Sequence, residues 1–142
     1  MERQLLVLLL PQPLERFHLE AQARALLRAP GAVAVDPARL PLARFPAGLA
    51  AGLAVGQAKR MRLPGTPAAV AIFHPLQFYL GGALLARHRT AELWYGAPEP
   101  EARERLEELH LAAAERAALT FTPAPDLDIT PLRLRMVELG IV

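Results

Sequence analysis

Apolar residues fall along this chain in short unbroken runs, separated by segments where they recur every three or four positions. The runs at residues 5–10 (LLVLLL) and 68–73 (AAVAIF) hold no polar position. A strand buried on both faces reads this way, and such strands belong to parallel sheets covered by helices. Shorter runs at residues 32–35, 92–95 and 119–122 read as strands two, four and five. Between the first two strands, Leu19, Ala23, Leu26 and Leu27 share one face of a helix predicted over residues 16–29, which Pro30-Gly31 ends. Further helices are predicted over residues 47–63, 76–89, 99–117 and 131–139. The fourth is the clearest, with Glu99/Arg103 and Glu101/Arg105 at the favourable i,i+4 spacing. Residues 36–46 hold three prolines and read as a loop.

Strands alternating with helices of this length imply right-handed βαβ units. The expected architecture is one α/β domain over residues 1–142: a doubly wound, mostly parallel five-stranded sheet with helices on both faces. That is a Rossmann-like arrangement, with expected strand order 3-2-1-4-5 or a close variant. No internal repeat, low-complexity stretch or interdomain linker interrupts it.

Composition removes many chemistries. The 142 residues include no Cys, no Ser, no Asn and a single lysine, Lys59. Disulfides, thiolate nucleophiles, cysteine zinc sites and serine triads are therefore excluded. The net charge of +2 is no footprint for nucleic acid. The absence of Cys and Asn, with 14 prolines, suits a thermophile, although a GC-rich coding bias produces a similar composition. No run matches a secretory signal or a membrane span, so the expected location is cytoplasmic.

In an open α/β sheet, ligands sit beyond the carboxyl ends of the strands. His74 follows the third strand and is the candidate catalytic group, as a base or a hydrogen-bond partner for a ligand hydroxyl; otherwise it caps the next helix. Gln12, His18 and Gln77 are candidate substrate contacts at the same edge, and Asp126 a fifth, though an Asp in a proline-rich loop is usually turn chemistry. His88 and His110, late in helices, receive no role. The histidines show no metal spacing with carboxylates, so no metal is expected. The first strand-to-helix turn, LPQPLER, lacks the glycines of a dinucleotide site and the chain has no Walker lysine. No cofactor is expected. Gly48, Gly52 and Gly56 form a smooth ridge on the second helix, flanked by Arg39, Arg44, Lys59, Arg60 and Arg62. Three readings stay open for residues 45–62: tight packing on the sheet, a dimer face, or peripheral contact with anionic lipid at the inner face of the membrane.

HPLQFYLGGALLARH followed by AELWYG, then ELHLAAAERAALTFTPAPDL, resembles the amino-terminal half of glycosyltransferases of the B-type fold. In that family a buried strand ending in a histidine near the acceptor site precedes a helix. Later, a helix with an E-x-x-A-A-x-x-A-D pattern feeds a strand ending like V-x-V-S. Here Glu115-Arg116-Ala117-Ala118 and Thr122-Pro123 depart from those patterns, and the glycine-rich first turn of many members is missing. The resemblance covers about half of the chain. It implies an acceptor-side domain that takes a glycan or lipid-linked acceptor, with His74 as the one carried-over site residue. It also implies that transfer from a nucleotide-sugar needs a donor-binding half, and that this chain alone does not turn over. The reading from another class is a stand-alone interaction or ligand-binding module, dimeric through the glycine ridge.

Overall fold

The computed structural model describes residues 3–37 and 42–141. Five strands, β1 (Gln4–Leu9), β2 (Ala32–Val35), β3 (Thr66–Ile72), β4 (Glu92–Gly96) and β5 (Leu119–Phe121), form one sheet in the order 2-1-3-4-5. All four pairings are parallel. The helices are α1 (Glu20–Leu26), α2 (Ala47–Arg60), α3 (Phe78–Arg87), α4 (Glu107–Arg116) and α5 (Thr130–Glu138). The Rossmann-like α/β class read from the sequence is the observed one. The strand order differs from 3-2-1-4-5, because with only one strand before the reversal, β2 becomes an edge and β1 pairs directly with β3.

Strand alternation splits the core into two layers. Leu5, Val7 and Leu9 of β1, with Val70, Ile72, Leu93 and Tyr95, pack against Ala54 and Ala58 of α2, Leu80 and Leu84 of α3 and Ala113 of α4. Leu6 and Leu8, with Ala69, Ala71 and Trp94, meet Leu19, Ala23 and Leu26 from α1 and its entry turn, and Leu132 and Met136 of α5. Alanines on this side of β3 leave room for the Trp94 indole, which is fully buried. Its Nε1–H donates to Glu92 Oε1 at 3.1 Å. Glu92 also receives Arg135 Nε at 2.7 Å and Nη2 at 2.8 Å, fastening α5 to the start of β4.

Three helical expectations need correction. Residues 16–29 do not form one helix: a 3-10 turn at Leu14–Arg16 is followed by an extended Phe17, and α1 starts at Glu20. The region 99–117 breaks into a 3-10 turn, Pro100–Arg103, and the shorter α4, with Arg105 left-handed at φ 66°. No apolar residue between Glu99 and Arg105 is buried, so nothing anchors a continuous helix there. The pairing becomes Arg103 Nε with Glu107 at 3.0 Å, not Glu99/Arg103 or Glu101/Arg105. The glycine ridge of α2 does not pack on the sheet. Ala50, Ala54 and Ala58 face the core, while a Cβ at Gly48, Gly52 or Gly56 would meet nothing within 4 Å. Arg39, one of the flanking cations, lies outside the described residues. Among the described residues no helix is long and apolar enough to cross a membrane.

Candidate functional site

The sheet order reverses direction between β1 and β3, and the chain leaves those two strands in opposite lateral senses. Such a switch point opens a crevice at the carboxyl edge. A cavity of about 440 Å³ lies there, within the size range of small-molecule sites. Leu10, Pro11 and Gln12 after β1 form one wall, with His18 beyond the first turn. Phe73 and His74 after β3, with Leu76, Gln77 and Leu80 entering α3, form the other. Leu42 and Gln57 close it from the α2 side, and Pro98 and Ala102 from the segment after β4.

Local sequence explains the shape of the β3 wall. Pro75 cannot continue the strand and opens a 3-10 turn, Pro75–Gln77. His74 caps that turn, its Nδ1 accepting the Leu76 N–H at 3.2 Å. A neutral imidazole with Nδ1 accepting carries its proton on Nε2. Burial holds the ring's pKa below the ordinary histidine value, which favours that neutral form. His74 therefore fulfils its capping alternative and lines the crevice as well, with an N–H to offer.

Gln77 is committed to the scaffold. Its side-chain oxygen accepts the Phe73 N–H at 2.7 Å, and its nitrogen donates to the Leu9 carbonyl at 2.9 Å. One amide thus spans the carboxyl ends of β1 and β3, where the ladder has run out and two backbone groups need partners. Phe73, the aromatic ring that lines the crevice, is backed by an edge-on Phe17 at 5.0 Å and by Phe121 at 6.0 Å.

Four of the five residues expected at the site, His74, Gln12, His18 and Gln77, come together around this crevice. Asp126 does not line it. It stands exposed in the β5–α5 loop, beside Pro125, whose carbonyl accepts from Gln22 Nε2 at 2.6 Å. Asp128 is a turn residue, accepting from the Thr130 N–H and hydroxyl. Gln57 was not anticipated, because a lone polar residue in an alanine-rich helix carries no signal of what lies opposite. His110, given no role from sequence, meets the Tyr95 hydroxyl at 2.9 Å and joins β4 to α4. Burial raises the Tyr95 pKa to about 12, so the phenol stays protonated. Among the described residues, no group of His, Asp and Glu could hold a metal ion. Compared with known proteins, the chain matches no family model, no curated sequence and no solved structure.

Proposed function

We propose that this domain binds the acceptor of a glycosyl transfer in the carboxyl-edge crevice and presents its hydroxyl to a donor held by a separate donor-binding half. The observation that carries the reading is the convergence of His74, His18 and Gln12 on one largely apolar cavity at the switch point. The resemblance of residues 74–96 and 108–127 to B-type glycosyltransferases supplies the reaction class. Because its Nδ1 already accepts from Leu76, His74 acts as a hydrogen-bond donor through Nε2, orienting the acceptor oxygen rather than removing its proton. Apolar walls from Leu10, Phe73, Leu76 and Leu80 suit an acceptor with an apolar portion beside its hydroxyls, a water-borne glycoside with an alkyl or aryl aglycone.

The test is nuclear magnetic resonance on the labelled chain, titrated with octyl β-glucoside below its micellar concentration and, separately, with UDP-glucose. The glycoside should shift the resonances of His74, His18 and Gln12, and the nucleotide-sugar should leave them in place. Shifts from UDP-glucose alone, or from neither probe, would reject the acceptor reading. A dimeric chain that binds neither would support the interaction-module alternative.

A further inference from the structure

The end of the molecule opposite the crevice is rich in cations. In a parallel sheet each helix returns to the amino edge, and here each return ends on arginine or lysine. Arg28 follows α1; Lys59, Arg60 and Arg62 close α2; Arg87 and Arg89 close α3; Arg116 closes α4. Arg3, just before β1, belongs to the same edge: its carbonyl accepts the Thr66 N–H and its guanidinium reaches the Pro30 carbonyl. All eight are exposed. None is in an ion pair with a described carboxylate, since the pairs there belong to Arg24, Arg103 and Arg135. Glu92 and Glu138, acids on β4 and α5 toward this edge, are tied to Arg135, and Glu115, exposed beside Arg116 in the last turn of α4, is the acid that stands among the cations. The carboxyl edge carries most of the acids, Glu99, Glu101, Glu104, Glu107, Glu108, Asp126 and Asp128 after β4 and β5, with Arg103 and Arg105 among them and Arg16 and Arg44 after β1 and β2. A chain of net charge +2 is thus strongly polarised along its strands.

Helix dipoles favour one cation in each last turn. They do not account for Arg62 and Arg89, which stand beyond their helices, or for Arg3, which follows none. Apolar surface adjoins the cations. Pro30 and Pro64 are exposed at this edge, and Val55, 44% exposed, continues the patch up the outward face of α2 above Lys59 and Arg62. Exposed aromatic rings, which would stack on nucleic-acid bases, are absent among the described residues of this end, since Trp94 and Tyr95 are buried. A long polyanion would also meet the acidic pole, whereas a planar surface meets one pole only.

We propose that the amino edge of the sheet, with the adjoining flank of α2, docks on an anionic lipid surface. The crevice at the opposite edge then points away from that surface, toward the aqueous side. Arginine suits the role because its planar fork matches phosphate oxygens. The acidic pole turns the molecule before contact.

Sedimentation with phosphatidylcholine vesicles, with and without phosphatidylglycerol, tests the docking. Binding should require phosphatidylglycerol and fade between about 20 and about 300 mM salt, as the screening length shortens. Each basic residue near such a surface is worth roughly fivefold in partitioning. The double variants Arg60→Glu/Arg62→Glu and Arg87→Glu/Arg89→Glu should therefore each lose tenfold or more, with circular dichroism unchanged. Arg44→Glu, near the other edge, should lose little. Because the chain has no cysteine, Thr90→Cys and Thr122→Cys each carry a polarity-sensitive dye at one known edge. The dye at 90 should blue-shift on vesicles and the dye at 122 should not. Equal binding to neutral vesicles, a shift at 122 instead of 90, or tighter binding to a duplex oligonucleotide than to the anionic vesicles would overturn the proposal.

Discussion

At the scale of single residues, the crevice owes its form to side chains that are already occupied. Gln77 satisfies one donor and one acceptor at the ends of two strands, so Gln77→Leu leaves both unpaired in a half-buried place. The expected cost is about 1–3 kcal/mol of stability, read from chemical denaturation, with the β1 and β3 termini loosened in hydrogen exchange. No change would mean that water replaces the amide freely. His74 adds a pH dependence. Its folded pKa lies below the unfolded value near 6.5, so the unfolded chain binds the proton first as pH falls. The stability it contributes is whole above pH 6.5 and declines from there toward the folded pKa. His74→Gln should flatten that portion of the stability profile and leave the alkaline portion unchanged. The position of His74 was legible, since a histidine after a continuous apolar run and before a proline can only sit at a strand's carboxyl end. The structural duty of Gln77 was not, because its partner Leu9 lies 68 residues away.

Elements were legible where burial dictated them and illegible where it did not. The strands, continuous in apolar character, were read to within two residues or fewer at either end. α2 and α5 start within one residue of the expected positions, but α1 and α4 failed at their amino-terminal turns, where proline and exposed polar residues permit several backbones. Residues 99–105 carry apparent i,i+4 pairs, but such pairs contribute only about 0.3–0.5 kcal/mol each, too little to hold a helix that buries nothing. Arg105 in the left-handed region carries about 1–2 kcal/mol of strain for a residue with a Cβ. Arg105→Gly should be neutral or stabilise by up to about 1 kcal/mol, and Arg105→Val should destabilise, both read from thermal melts. The glycine ridge makes the opposite point. Helical spacing placed Gly52 and Gly56 on one face, but spacing does not say which face meets the sheet. With open space around both, Gly52→Ala and Gly56→Ala should each raise stability by about 0.5–1 kcal/mol without altering the light-scattering mass. Loss of a dimer on substitution would show that a second copy packs on the ridge.

Over the whole molecule, the fold and the first turn act together to select what can bind. An open parallel sheet usually receives phosphate where a glycine-rich turn aims backbone N–H groups into the crevice at a helix start. Here β1 runs into Leu10-Pro11-Gln12-Pro13 and a three-residue 3-10 turn. Pro11 and Pro13 have no N–H, so two of the donors a phosphate would need are missing. α1 does not begin until Glu20, whose carboxylate adds a repelling charge to its first turn. The prolines and the missing glycines were legible at the outset, because they are residue types next to one another in the chain, whereas the late start of α1 was not, the helix having been expected from residue 16. What was not legible is that the same turn would build a wall of an apolar cavity, since Leu42, Gln57 and Ala102 reach it from distant segments. The expected outcome is that UDP and UDP-glucose bind the isolated chain no more tightly than millimolar, about −4 kcal/mol, and are not hydrolysed by it. Glycosyl transfer needs donor and acceptor held together in one water-excluding geometry, and on the proposed reading this domain provides the acceptor's wall alone. Calorimetric titration with UDP measures the first point and release of free glucose the second. Micromolar affinity for UDP would place the nucleotide on this sheet and make the domain a donor-binding or nucleotide-sensing module instead.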